Sequence, residues 1–153
     1  MRNSEIYKRL NEQEIRFILR SFNTNTSWTD MCTEHILNPE ISIMELATKH
    51  GYNVAAANEI LQKCKRNIRT YIHVCGYKFE PTVDDDILML QLPTPVHNAL
   101  KRYGVPSIEV LRLMDNEQLI SIRGVGVYGV NAINESLVKF GFDTNSRKYE
   151  SEE

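Results

Sequence analysis

Residues 122–133 read IRGVGVYGVNAI: an apolar residue, an arginine, then glycines at 124 and 126 set between valines, opening into a run with helical spacing. The glycines let the backbone turn where a Cβ would clash, so the segment predicts a tight hairpin between two helices. The amides that follow them point outward at a helix N-terminus, the partial positive end at which a phosphate binds favourably. This hairpin is the part of the chain whose chemistry suits a nucleic-acid backbone.

Helical spacing surrounds the hairpin. Val96, Leu100 and Tyr103 precede Gly104; Ile108, Leu111 and Leu113 follow Ser107; Leu119 and Ile122 lead into the glycines; Val130, Ile133, Leu137 and Val138 run up to Gly141. Four or five short helices therefore predict a compact all-α, helix-hairpin-helix domain over 92–143. The polar end, 144–153, reads as a disordered tail. Upstream, 76–86 (GYKFEPTVDDD) carries Gly, Pro and an acidic run without helical period, and 76–91 is the expected linker.

The N-terminal half is also helical by pattern. Asn11 with Glu14, and Ser42 with Glu45, are capping signatures; they open helices at about Glu12–Ser21 and Ile43–His50, the second closed by Gly51. Between them NTNTS (23–27) breaks the chain, and Trp28–Leu37 forms another helix with Trp28 as a core anchor. Asn53 caps a long helix to about His73 whose buried stripe is Ile60, Leu61, Cys64, Ile68 and Ile72. Two helices joined by a tight Gly turn make residues 1–75 a helix-turn-helix domain. On its second helix Asn58 has a bidentate group suited to adenine. Lys63, Lys65, Arg66 and Arg69 form a basic run with no acid among residues 61–73, suited to phosphates. A basic cluster is also what any solvated helix face shows.

Composition bounds these readings. The chain has 153 residues, 18 Lys+Arg against 20 Asp+Glu and 42% hydrophobic residues, enough for one sizeable core or two small ones but without overall basicity. Nucleic-acid contact must come from local patches. Asp84, Asp85, Asp86, Glu150, Glu152 and Glu153 supply much of the negative charge, and the sequence places them in linker and tail, where they are solvated rather than metal-binding. Cys32, Cys64 and Cys75 lack metal-ligand spacing and read as reduced structural thiols. His35, His50, His73 and His97 are scattered and read as ordinary histidines. No nucleophile elbow, Walker loop or dinucleotide motif occurs, so the sequence points to no enzyme, cofactor or metal. No apolar h-region or membrane-length run is present, and the expectation is a cytoplasmic protein.

Residues 92–142, LPTPVHNALKRYGVPSIEVLRLMDNEQLISIRGVGVYGVNAINESLVKFGF, resemble the C-terminal domain of the bacterial RNA polymerase alpha subunit. Asn98-Ala99-Leu100-Lys101, the Gly104-Val105 and Ser107-Ile108 pairs and the Ile122–Gly126 hairpin carry the likeness. The resemblance implies minor-groove and phosphate contact with A·T-rich DNA upstream of promoters, and docking to activators. The family's minor-groove arginine falls on Pro95, while its asparagine is kept as Asn98. Gly126 is kept, but the basic and hydroxyl positions that follow fall on Val127, Tyr128 and Gly129. Lys101, Arg102 and Arg123 can replace those charges only if they lie on the hairpin face. The segments LNEQEIRFILR (10–20) and ISIMELATKHGYNVAAANEILQKCKRNIR (41–69) resemble sigma-factor region 4, with Ala47, Gly51 and Ile60 at the matching positions. His50 and the long segment 21–40 depart from it.

The sequence thus predicts an all-α, two-domain DNA-binding protein acting in transcription, with double-stranded DNA as partner and RNA polymerase or a transcription factor as a second partner. Its expected contacts are Asn58, Lys63, Lys65, Arg66, Arg69, Asn98, Lys101, Arg123, Gly124 and Gly126. The alternative is an adaptor that binds polymerase or a regulator without holding DNA. A sequence-independent recombination or repair clamp is a third possibility.

Overall fold

Short polar side chains fix where the helices start. Asn11, Asn25, Ser42, Asn53, Ser107 and Asp115 each accept a hydrogen bond from the amide three residues on, removing one orphan donor per helix, worth about 1 kcal/mol each. Asn11 and Asp115 complete full capping boxes with Glu14 and Gln118. The structure, a computed structural model, describes residues 3–144; the expected tail lies outside them from residue 145. The described residues are all-α: α1 (Asn3–Lys8), α2 (Glu12–Ser21), α3 (Thr26–Leu37), α4 (Ile43–His50), α5 (Val54–Cys75), a 3-10 turn (Ile87–Leu90), α6 (Thr94–Tyr103), α7 (Ile108–Leu113), α8 (Asn116–Ile120) and α9 (Gly126–Lys139). No helix among them is long and apolar enough to cross a membrane. They fall into two compact units, Met1–Phe79 and Glu80–Glu153.

In the first unit α2, α3 and α4 pack around α5. The buried stripe of α5 is Ala57, Ile60, Leu61, Cys64, Ile68 and Tyr71. It meets Ile15, Ile18, Leu19, Met31, Cys32 and Leu46, all fully buried. Tyr71 takes the place predicted for Ile72 because the chain beyond α5 folds back onto it. The Tyr71 hydroxyl donates to the Lys78 carbonyl at 2.5 Å, and its ring stacks on Phe79 at 5.8 Å. Phe17 meets both rings edge-on, at 6.2 and 5.9 Å. Residues 76–79, expected to start the linker, therefore close the first core. Trp28 is not a core anchor: it is part-buried, with the Lys63 ammonium 5.9 Å from its ring. Cys32 and Cys64 are both buried in this core, and the neighbouring Cys64 thiol, with burial, holds the Cys32 thiol protonated.

The second unit uses the rest of the expected linker. Ile87, Leu88, Met89 and Leu90 are buried, and Ile87 and Leu90 join Val96, Leu100, Ile108, Leu111, Ile133 and Leu137 in one core. The carbonyls of Asp85 and Val83 accept the Ile108 and Glu109 amides at 3.0 and 2.8 Å, capping the start of α7 from outside the helix. Asp86 is likewise not a solvated acid. One of its oxygens caps the 3-10 turn through the Leu88 amide at 2.9 Å, and the other takes the Lys101 ammonium at 2.6 Å. The buried Ser136 hydroxyl donates to the Leu90 carbonyl, fixing α9 to this turn.

Candidate nucleic-acid interface

Residues 121–125 link α8 to α9 through a turn built on two positive-φ glycines, Gly124 at +96° and Gly126 at +58°. Their needs differ. A Cβ at Gly124 would stand 3.2 Å from the Ala99 Cβ and 3.4 Å from the Arg102 guanidinium, whereas one at Gly126 would meet open space. Gly124 therefore lets the hairpin sit directly on α6. Gly129 continues the contact, since a Cβ there would lie 3.3 Å from Val96 and 2.7 Å from Val125. Ile122 and Val125 point into the core, while Arg123, Gly124, Gly126, Val127 and Tyr128 are exposed.

Val125, at the N-cap of α9, offers no side-chain cap. The amides of the first turn of a helix lack carbonyl partners within it, so this end presents donors to solvent. Arg102 and Arg123 are exposed beside it, and neither is in an ion pair among the described residues. Asn98 is exposed one helical turn before Arg102 and so shares its face of α6. Lys101, on the same helix, pairs with Asp86 at 2.6 Å. Of the three cations considered as substitutes for the missing basic positions, Arg102 lies against the hairpin glycine and Arg123 is within the hairpin. Pro95 is exposed on the same helix, and Val127 and Tyr128 are 64% and 69% exposed at the hairpin apex. Behind the apex, Tyr128, Asn131, Glu135 and Lys139 of α9 face Gln91 and Pro93 across an open groove of about 450 Å³.

In the first unit α4 ends at Gly51, φ +81°, and the Tyr52 hydroxyl is 2.6 Å from Ser27 of α3, tying the turn down. Asn58 follows on the first turns of α5, part-buried, with Ala55 exposed beside it. The basic run does not form one track. Lys63 and Arg66 are exposed and border a recess of about 400 Å³ beside Trp28, with Asn25 and Asn67. Lys65 and Arg69 are part-buried and turn to the other flank of the buried stripe. There the Lys65 ammonium lies 5.4 Å from the Tyr7 ring, and Arg69 donates to the Tyr7 hydroxyl at 2.8 Å. Helical spacing carries no sign of this division, because the partners, Tyr7 and Trp28, lie on α1 and α3. His50 also has a partner that spacing hid: Glu34, at 2.9 Å, which Lys49 reaches at 2.6 Å. These two contacts hold the Glu34 carboxyl below its usual range, Lys49 contributing most.

No family model matches the chain, and no solved structure matches it. The chain is similar to the DNA-directed RNA polymerase subunit alpha of Rubrobacter xylanophilus, with 35% identity over 68 residues. The match spans 43% of this chain and 22% of that subunit, about a fifth of its length. The chain therefore carries a region similar to an RNA polymerase alpha subunit.

Proposed function

We propose that this chain is a DNA-binding protein acting in transcription. The observation that carries the reading is an α9 start without a side-chain cap, flanked by two exposed arginines that are in no ion pair among the described residues, Arg102 against Gly124 and Arg123 within the turn. The similarity to an alpha subunit supports it. In this reading the hairpin belongs to an alpha C-terminal-like helix-hairpin-helix domain. The α9 amides and Arg102 and Arg123 hold backbone phosphates, and Asn98 reaches the adjacent groove. The α4–α5 pair acts as a helix-turn-helix, with Asn58 near base edges and Lys63 and Arg66 on phosphates.

Four phosphate-neutralising side chains predict a slope of log affinity against log salt of about −3 to −4 on duplex DNA. Fluorescence anisotropy with A·T-rich and G·C-rich duplexes over a salt series measures it. Lys63→Glu with Arg66→Glu should flatten the slope by about 2. Absence of binding at low salt would overturn the proposal.

The second reading, a polymerase- or regulator-binding adaptor, is favoured by the exposed Val127 and Tyr128 at the apex, where charge would be expected for DNA. It predicts salt-insensitive association with polymerase and no duplex retention.

A further inference from the structure

Between α1, α3 and α5 lies a cavity of about 300 Å³ lined by Tyr7, Lys8, His35, Ile36, Pro39, Lys65 and Arg69. We propose that it binds a small phosphomonoester, the phosphate held by Lys8, Lys65 and Arg69 and the organic part lying against Tyr7, Ile36 and Pro39.

Charge balance is the first argument. Three cationic side chains line the cavity and no carboxylate does. None of the three is in an ion pair among the described residues, although nearby Arg16 and Lys49 pair with Asp30 and Glu34 at 2.8 and 2.6 Å. Lys65 and Arg69 are part-buried and Lys8 is exposed at the rim. Like charges gathered without a counter-charge repel one another, the two part-buried ones are also poorly solvated, and a dianion relieves both costs.

Proton bookkeeping on His35 is the second. The Lys65 ammonium, which can only donate, lies 3.4 Å from His35 Nε2. That nitrogen must accept, which leaves the ring neutral with its proton on Nδ1. His35 Nδ1 is buried and has no hydrogen-bond partner. A neutral ring therefore lines the cavity and adds no further positive charge to it, and burial and Lys65 both depress its basicity, in line with that state.

Preorganisation is the third. The Tyr7 hydroxyl accepts from Arg69 at 2.8 Å and donates to the Lys65 carbonyl at 3.3 Å, holding the guanidinium in place while most of its five donors stay free. The volume lies at the lower end of small-molecule sites, and the apolar lining suits an organic substituent. This site is independent of the DNA-binding reading and reassigns Lys65 and Arg69 away from the DNA backbone.

The test titrates phenyl phosphate, inorganic phosphate and phenol into the full chain, followed by amide and imidazole NMR. Phenyl phosphate should bind saturably, shifting Tyr7, His35, Lys65 and Arg69 resonances and raising the His35 titration midpoint, with phosphate weaker and phenol silent. Lys8→Ala, an exposed position that leaves folding intact, and Lys65→Met should each weaken binding about tenfold, the effect of one charge-assisted contact. Equal binding of phenol, or unchanged affinity in Lys8→Ala, would overturn the proposal. Displacement of phenyl phosphate by a duplex would assign the phosphate to a DNA backbone and overturn the small-ligand form.

Discussion

Replacing Gly124 and Gly126 separately by alanine isolates what the hairpin needs. Both positions have positive φ, so each substitution costs roughly 1–2 kcal/mol in left-handed backbone strain. Only Gly124→Ala adds a steric cost. Its Cβ would press to 3.2 Å on the Cβ of Ala99, a buried atom fixed to the α6 backbone that cannot rotate away. Overpacking of this kind adds about 1–3 kcal/mol. The expected totals are about 3 kcal/mol for Gly124→Ala and about 1.5 kcal/mol for Gly126→Ala. With a urea slope near 1 kcal/mol/M for so small a unit, the midpoints should fall by about 3 M and about 1.5 M. Peak intensities of the Ile133 and Leu137 amides across a urea titration report the second unit alone. Equal midpoint shifts in the two variants would refute the claim that Gly124 exists to seat the hairpin on α6.

Further outcomes are as specific. Ser136→Ala leaves the buried Leu90 carbonyl without its donor and should destabilise the second unit by about 1–3 kcal/mol in the same titration. His97 is held below its ordinary 6.5 by burial and by Lys101, partly offset by Asp86. The unfolded chain therefore takes up the proton first. The stability His97 contributes is present above pH 6.5 and is lost as pH falls through the folded midpoint, a slope that His97→Gln should remove from urea midpoints measured across that range. Glu34, depressed by Lys49 and His50, contributes stability above its ordinary 4.5 that is lost as pH falls through its lower folded midpoint. Glu34→Gln should lower the neutral-pH melting temperature of the first unit and flatten its acid limb.

Local chemistry was legible in the sequence. Caps at Asn11, Ser42 and Asn53 and the glycine after α4 are decided within one turn, so the boundaries of α2 and α4 and the start of α5 follow from neighbouring residues. The hairpin was legible for the same reason. What escaped was decided at long range. ILML (87–90) has no period to mark it as helix, and its burial depends on the Val83 and Asp85 carbonyls finding α7. The Lys101 pair with Asp86 joins α6 to the segment before it, a contact that spacing does not reveal. Ile72 and Tyr71 suit the end of the α5 stripe equally by spacing, and the stacking of Phe79 chooses Tyr71. At the candidate site, residue types were readable, but which cations remain unpaired depends on contacts between helices.

Amide chemical-shift mapping of an A·T-rich duplex onto the 153-residue chain tests the central claim most directly. Binding through the hairpin predicts saturable, salt-sensitive shifts concentrated at Arg123, Gly124, Gly126, Val127 and Tyr128, with Asn98 and Arg102 following. A duplex that leaves these resonances unmoved at low salt, while RNA polymerase broadens them, would contradict DNA binding and establish the adaptor in its place.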